Sequence, residues 1–280
     1  MNIPILYEDN HIIVCEKPAG VLAQSDRSMD YDMVNYLKNH VHECERNRTK
    51  LSEDKTSNAG VKKDSTVNQN KDSIEPYIAL IHRLDRPVGG VMVFGKTQQA
   101  AKFLSEQVQA GSISNAKQPK MVKKYFAVID GDMSKELGRG ETTLVDYLAK
   151  DSKTNQARIS SQNDRNAKKA ELSYRVLEVA RDDQDNPISL IEVSLKTGRH
   201  HQIRAQMANH KAPLWGDTKY NKVFASRMEQ ARKEWTNLGL YSCQLTFIHP
   251  VSRKELTFQA MPKTEIFSRF SYIKRDETPK

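Results

Sequence analysis

The chain has 280 residues, 38% hydrophobic and 28% charged, with 12 glycines and 10 prolines, a globular usage that excludes collagen-like and wholly disordered chains. Its net charge of +9 points toward an anionic partner. No run approaches the ~18–20 apolar residues that span a bilayer, and three scattered cysteines without a CxxC pair exclude a disulfide framework and a cysteine zinc site. The start, MNIPILYEDN, has neither a basic n-region nor an apolar h-region, so the cytoplasm is the expected location. From Leu6 to Gly20 the pattern reads strand, turn, strand, turn, punctuated by Asp9-Asn10 and Pro18-Ala19-Gly20. Met33, Val34 and Leu37 then predict a short helix over 31–40. Residues 43–76 lack aromatics and hold seven acidic against seven basic residues. Such a segment buries too little apolar area to offset its chain entropy, which predicts a flexible surface insertion. The positive excess therefore belongs to the folded part. Strands are expected at 77–81 and 91–94, a helix at 97–110, and strands at 124–129, 170–180 and 188–196. The last two are joined by a turn-rich stretch, as in a hairpin. A short helix at 201–209 and a hairpin of 240–247 with 255–259 complete the expectation. Strands outnumber helices and several form hairpins, so the fold class is α+β around a central, largely antiparallel mixed sheet flanked by helices. One domain covers 1–270, and 271–280 is a C-terminal tail.

Gly90 to Thr97 satisfies G-x-x-x-x-G-K-[ST], the phosphate-binding loop expression. Its four variable positions are Val, Met, Val and Phe, which form a strand where a phosphate loop must curl. A core strand leading through Gly95 into a helix is the expected structure.

Three segments embed charged or phenolic side chains among strongly structured residues: His82-Arg83-Leu84-Asp85, Lys123-Lys124-Tyr125-Phe126-Ala127, and Thr197-Gly198-Arg199-His200-His201-Gln202-Ile203-Arg204. Singly, each has a plain explanation: a solvated turn in which Arg83 or Arg86 pairs with Asp85, an edge strand, and a strand-to-helix junction. The adjacent histidines suggest metal, but neighbours in a helix point about 100° apart and serve one ion poorly. No metal site is expected.

Together, and in this order, the segments resemble the catalytic domain of the RluA-type RNA pseudouridine synthases, through that family's HRLD, K-x-Y-x-A and T-G-R-x-H-Q-I-R motifs. The EKPAG turn, residues 167–174, Pro213–Asp217 and Phe247–Pro250 extend the likeness to nearly the whole chain outside 43–76. Two departures stand out. Val88-Gly89-Gly90 replaces a frequent Thr-Ser-Gly, and His200 is bulkier than the small residue often found there. The N-terminal S4 domain of some members is expected to be missing, because Met1 lies close to the catalytic domain.

The resemblance implies an isomerase that converts uridine to pseudouridine in structured ribosomal or transfer RNA, with no cofactor, no membrane and no obligate protein partner, as a monomer. It assigns Asp85 as the carboxylate that acts at the sugar, by attack at C1′ or by assisting departure of the base. Arg204 becomes the guanidinium that favours the charged form of that acid and grips it. Tyr125 is implied to stack on the base and help remove the C5 proton. Ile203 is implied to pack against uracil, and Arg83 to fill the space of the extruded nucleotide. His82, Arg199 and Lys124 are expected to contact RNA. A rival class, a non-catalytic RNA-binding protein on the same fold, would bind RNA and leave uridine unchanged.

Overall fold

The computed structural model describes residues 2–25, 30–57, 75–111, 119–232 and 236–274, with backbone alone for 48–57. Eleven strands form one sheet: β1 (Ile5–Glu8), β2 (Ile12–Lys17), β3 (Ala79–Leu80), β4 (Gly89–Gly95), β5 (Val122–Ile129), β6 (Thr142–Asp151), β7 (Gln156–Ser160), β8 (Lys168–Arg181), β9 (Pro187–Leu195), β10 (Leu240–Ile248) and β11 (Glu255–Gln259). Their order is β1-β2-β4-β10-β5-β9-β8-β6-β7, with β3 beside β4 and β11 beside β10. Every pairing of named strands is antiparallel except β4 with β10. The α+β expectation holds, and the single parallel pair makes the sheet mixed.

Alternation along the strands builds two cores. Ile13, Cys15, Met92, Phe94, Tyr125 and Ala127 face one side, against Met33, Leu37 and Val41 of α1 (Met33–Ser57) and Ile203 and Met207 of α3 (Gln202–Asn209). Ile12, Val14, Val91, Val93 and Phe247 face the other, against Ala100 and Leu104 of α2 (Gln98–Ala110). Burying each of these aliphatic side chains contributes about 2 kcal/mol. Two further helices are α4 (Lys222–Gln230) and α5 (Ser271–Lys274).

The phosphate-loop match resolves as expected. Residues Val91–Phe94 are fully buried in β4, and the Thr97 side chain accepts the Ala100 N–H at 3.2 Å to cap α2. Gly90 is required for another reason. It has φ +123°, and a Cβ there would stand 2.2 Å from the Ser242 carbonyl oxygen. Only glycine lets β4 lie this close to β10.

Three boundaries differ from expectation. The strand at 77–81 shortens to the two residues of β3. Residues 271–274 are not tail: α5 begins there and its Ile273 is 2% exposed. The helix placed at 31–40 runs on to Ser57, into the segment read as a flexible insertion. A polar segment buries little, but a helix rich in Glu, Arg and Lys without Pro or Gly forms on propensity, aided by spacings such as Glu43 with Arg46. Residues 58–74 lie outside the described residues.

Helix α1 leaves the body after Cys44, with residues 45–47 exposed. Val41, Cys44 and Glu45 share one cleft with Pro76 and Tyr77, and Lys38 pairs with Glu75 at 2.8 Å. The chain thus returns close to where it departs. Deleting residues 46–74 behind a short Gly/Ser bridge should lower Tm by less than about 3 °C, under 1 kcal/mol for a domain of this size. A larger loss in a thermal melt would mean that the excursion packs on the body.

Candidate active site

Each motif arrives from a different element. Asp85 lies in the loop between β3 and β4, where the Val88 N–H donates to the Asp85 carbonyl at 2.9 Å. Tyr125 projects from the centre of β5, flanked by β9 and β10. Arg204 stands in the first turn of α3, which the chain enters directly from β9.

The Asp85 carboxylate is 29% exposed, and its Oδ2 lies 3.6 Å from Arg204 Nη1 and 3.5 Å from His201 Nε2. The guanidinium does face the acid, but its grip goes elsewhere. Arg204 Nε and Nη2 donate to the two oxygens of Asp217 at 2.8 and 2.7 Å, with Asp217 fully buried. Desolvation works against the Arg204 charge, yet the hydrogen bonds and charge of Asp217, with help from Asp85, raise its pKa. This corrects the expected bidentate grip on Asp85: Asp217 fixes the cation, and the cation faces Asp85.

Tyr125 is 6% exposed and shares its buried cluster with Leu84, Val88 and Ile203. Burial, then the Asp85 charge, pushes its phenol pKa up, against an opposing hydrogen bond with Ser242. The resting side chain is a neutral phenol.

His201 caps α3 with φ +49°, in the left-handed region. Its Nδ1 meets the Tyr220 hydroxyl at 2.9 Å, and that hydroxyl oxygen accepts the Ala157 N–H at 2.6 Å. Burial moves the imidazole pKa down to about 4, against the pull of Asp85, so the ring is neutral. The arrangement that uses every proton has Tyr220 donating to Nδ1 and the Nε2–H aimed at Asp85. Because His201 precedes the helix, the 100° argument against metal fails. The His200 and His201 rings stack at 3.9 Å and 22°, and with Asp85 they offer three ligand atoms within 4.8 Å of one another. Arg204 and Lys17 face the same acid, and their charges oppose a divalent cation there.

Lys17 was missed from the sequence. It is fully buried at the end of β2, and its ammonium donates to the carbonyls of Pro18, Val21 and Arg86 at 3.0, 2.6 and 3.2 Å. Burial lowers its pKa to about 7, opposed by the Asp85 charge. Its signal was its place in the EKPAG turn. Asp217 likewise lay in a noted motif, and Tyr220 follows it by three residues.

The remaining expected contacts divide. Arg83 is exposed, with no ion-pair partner among the described residues, whereas Arg86 pairs with Asp30 at 2.8 Å. Arg199 is half-buried and donates through Nε to the Lys169 carbonyl at 2.9 Å. Lys124 meets Glu192 at 3.3 Å, so part of its charge is spent within the protein. His82 is a correction. It is 7% exposed, its Nε2 accepts the Val93 N–H at 3.4 Å, and burial holds its pKa well below the usual value. A core histidine of this kind does not reach RNA.

Asp217, the acid beyond Arg204, is sealed and committed to the guanidinium, so the two working carboxylates of a glycoside hydrolase are not available here. The site brings one partly exposed carboxylate, a buried guanidinium and a buried phenol together. Residues 11–209 match the RNA pseudouridylate synthase family. The chain is 28% identical to tRNA pseudouridine synthase C of Haemophilus ducreyi over 97% of both chains. It is 31% identical to ribosomal large subunit pseudouridine synthase D of Borreliella burgdorferi, over 80% of this chain and 57% of that one. Human RNA Pseudouridylate Synthase Domain Containing 4 shares the fold, with a TM-score of 0.61 at 20% identity over 95% of this chain and 90% of that one. The chain belongs to the RNA pseudouridylate synthase family, enzymes that isomerise uridine to pseudouridine within RNA.

Proposed function

We propose that Asp85 is the carboxylate that acts at the ribose of a uridine extruded from transfer RNA. The observation that carries this reading is the partly exposed Asp85 carboxylate facing an Arg204 that is already held by Asp217. The cation attracts the acid without consuming its lone pairs. Isomerisation breaks N1–C1′, turns the base and forms C5–C1′, so the C5 proton leaves and N1 gains one; no atom is added. Tyr125, as a neutral phenol, gives the turning base a ring to stack on and an O–H to hydrogen-bond. A phenol neutral at rest takes the C5 proton by handing its own on to solvent, so Tyr125 serves as a relay in that step. Ile203 packs beneath the same space. Extrusion costs a few kcal/mol, and Arg83, which is exposed, fills the gap left behind.

Transfer RNA is preferred to ribosomal RNA because the relatives named for it match over nearly their whole length. One chain carries Asp85, Tyr125 and Arg204, which favours a monomer. Three free thiols fit a cytoplasmic protein. The test is a map of pseudouridines in total RNA from cells with and without the gene. One or a few tRNA positions should lose the modification and regain it when purified protein is added. An unchanged map would overturn the substrate assignment.

A further inference from the structure

Beside Asp85 lies a second cavity, of about 270 Å³, between the β6–β7 hairpin and the turn that precedes α3. Leu148 and Ala157 form a buried apolar floor, Lys150, Lys168 and Arg199 stand around it, and His200 closes the end toward Asp85. No carboxylate lines it. Lys150 and Lys168 are exposed, with no ion-pair partner among the described residues. His200 is half-exposed, with one face of its ring stacked on His201 and a single long contact of 3.3 Å to the Asn155 carbonyl. The floor and the turn that precedes α3 are one unit, because the Tyr220 hydroxyl holds both the Ala157 N–H and His201 Nδ1.

We propose that this cavity is a subsite for a single-stranded nucleotide flanking the target uridine, its base stacked on His200 and its phosphate held by Lys150 and Lys168. The inference deepens the RNA reading above and rests on it. An apolar floor with a cationic rim and no acid matches a planar base joined to an anionic backbone. An imidazole with one face already covered is a ready stacking platform. A ring nitrogen of His200 lies within 4.8 Å of the Asp85 carboxylate, so the cavity adjoins the place of the target ribose.

The probe is fluorescein-labelled single-stranded oligouridylate, compared with an abasic ribose-phosphate oligomer of equal length, by anisotropy. The wild-type protein should prefer the oligomer with bases by about tenfold, the range of one aromatic stack, and His200→Ala should lose most of that preference. His200→Trp, which restores a stacking face, should recover it. Lys150→Ala/Lys168→Ala should bind both oligomers more weakly, with the salt slope reduced by about 0.7, the value for one phosphate contact on a single strand. An unchanged preference in His200→Ala, or an unchanged slope in the double lysine variant, overturns the subsite. A loss that His200→Trp does not repair marks a distorted turn and overturns it too. All of these are binding constants, so they stand even for a chain that forms no pseudouridine, whereas failure of the Asp85 role shows in turnover alone.

Discussion

Asp85→Asn should lower kcat/KM for pseudouridine formation by more than about a thousandfold, some 4 kcal/mol of barrier, while RNA affinity stays within a few fold. The amide keeps the shape of the carboxylate and loses its charge and nucleophilicity. The fold should tolerate the exchange, because Arg204 keeps its two hydrogen bonds to Asp217 at 2.7 and 2.8 Å and His201 keeps Tyr220. Binding should persist because Lys150 and Lys168, the cations proposed to meet phosphate, form no ion pair with Asp85 among the described residues. Single-turnover assays with purified RNA, paired with anisotropy on the same RNA, separate the two effects. Surviving activity would remove Asp85 from the chemistry, and a collapse in affinity would make it a binding residue.

The candidate site residues were legible through the family likeness, because the motifs that hold them are contiguous and arrive in a fixed order along the chain. Tyr125 could be placed on a strand because Tyr125 and Ala127 alternate with Lys124 and Phe126, and the structure puts both on one face. What supports those residues was less legible. Arg204 and Asp217 are thirteen positions apart across the end of α3, a separation with no helical or strand period behind it. The left-handed φ of His201 sets the histidine stack and the approach to Asp85, yet nothing in a His-His pair announces it. His82 misled because a polar residue inside a functional motif looks solvent-facing, while its ring fills the core beneath β4. The β6–β7 hairpin went unnoticed for a related reason: Leu144 and Leu148, its buried leucines, are four apart and favour a helix as much as a strand. That hairpin carries half of the cavity beside the active site.

Asp217→Ala should cost about 3–5 kcal/mol, the usual penalty for stripping one partner from a buried ion pair, and lower Tm by roughly 10 °C. Arg204 is only 6% exposed, so water cannot replace the lost carboxylate. Asp217 also accepts the backbone N–H groups of Lys219 and Tyr220 at 3.0 and 3.2 Å. Its loss therefore loosens the turn that presents Tyr220 to His201. The variant should lose activity beyond what its stability explains. Among the described residues its guanidinium has one carboxylate left within reach, Asp85 at 3.6 Å, and closing that gap ties up the lone pairs that the proposed reaction needs. The double replacement Arg204→Met/Asp217→Leu separates the two effects. An apolar pair of similar volume should recover most of the melting temperature, because a buried ion pair adds little net stability over well-packed hydrophobic residues. It should not recover turnover, since the cation facing Asp85 is gone. Chemical denaturation of Arg204→Met, Asp217→Leu and the double variant closes the cycle. Additive losses would mean that Arg204 and Asp217 do not act as a unit, and full activity in the double variant would show that Asp85 works without the Arg204 cation.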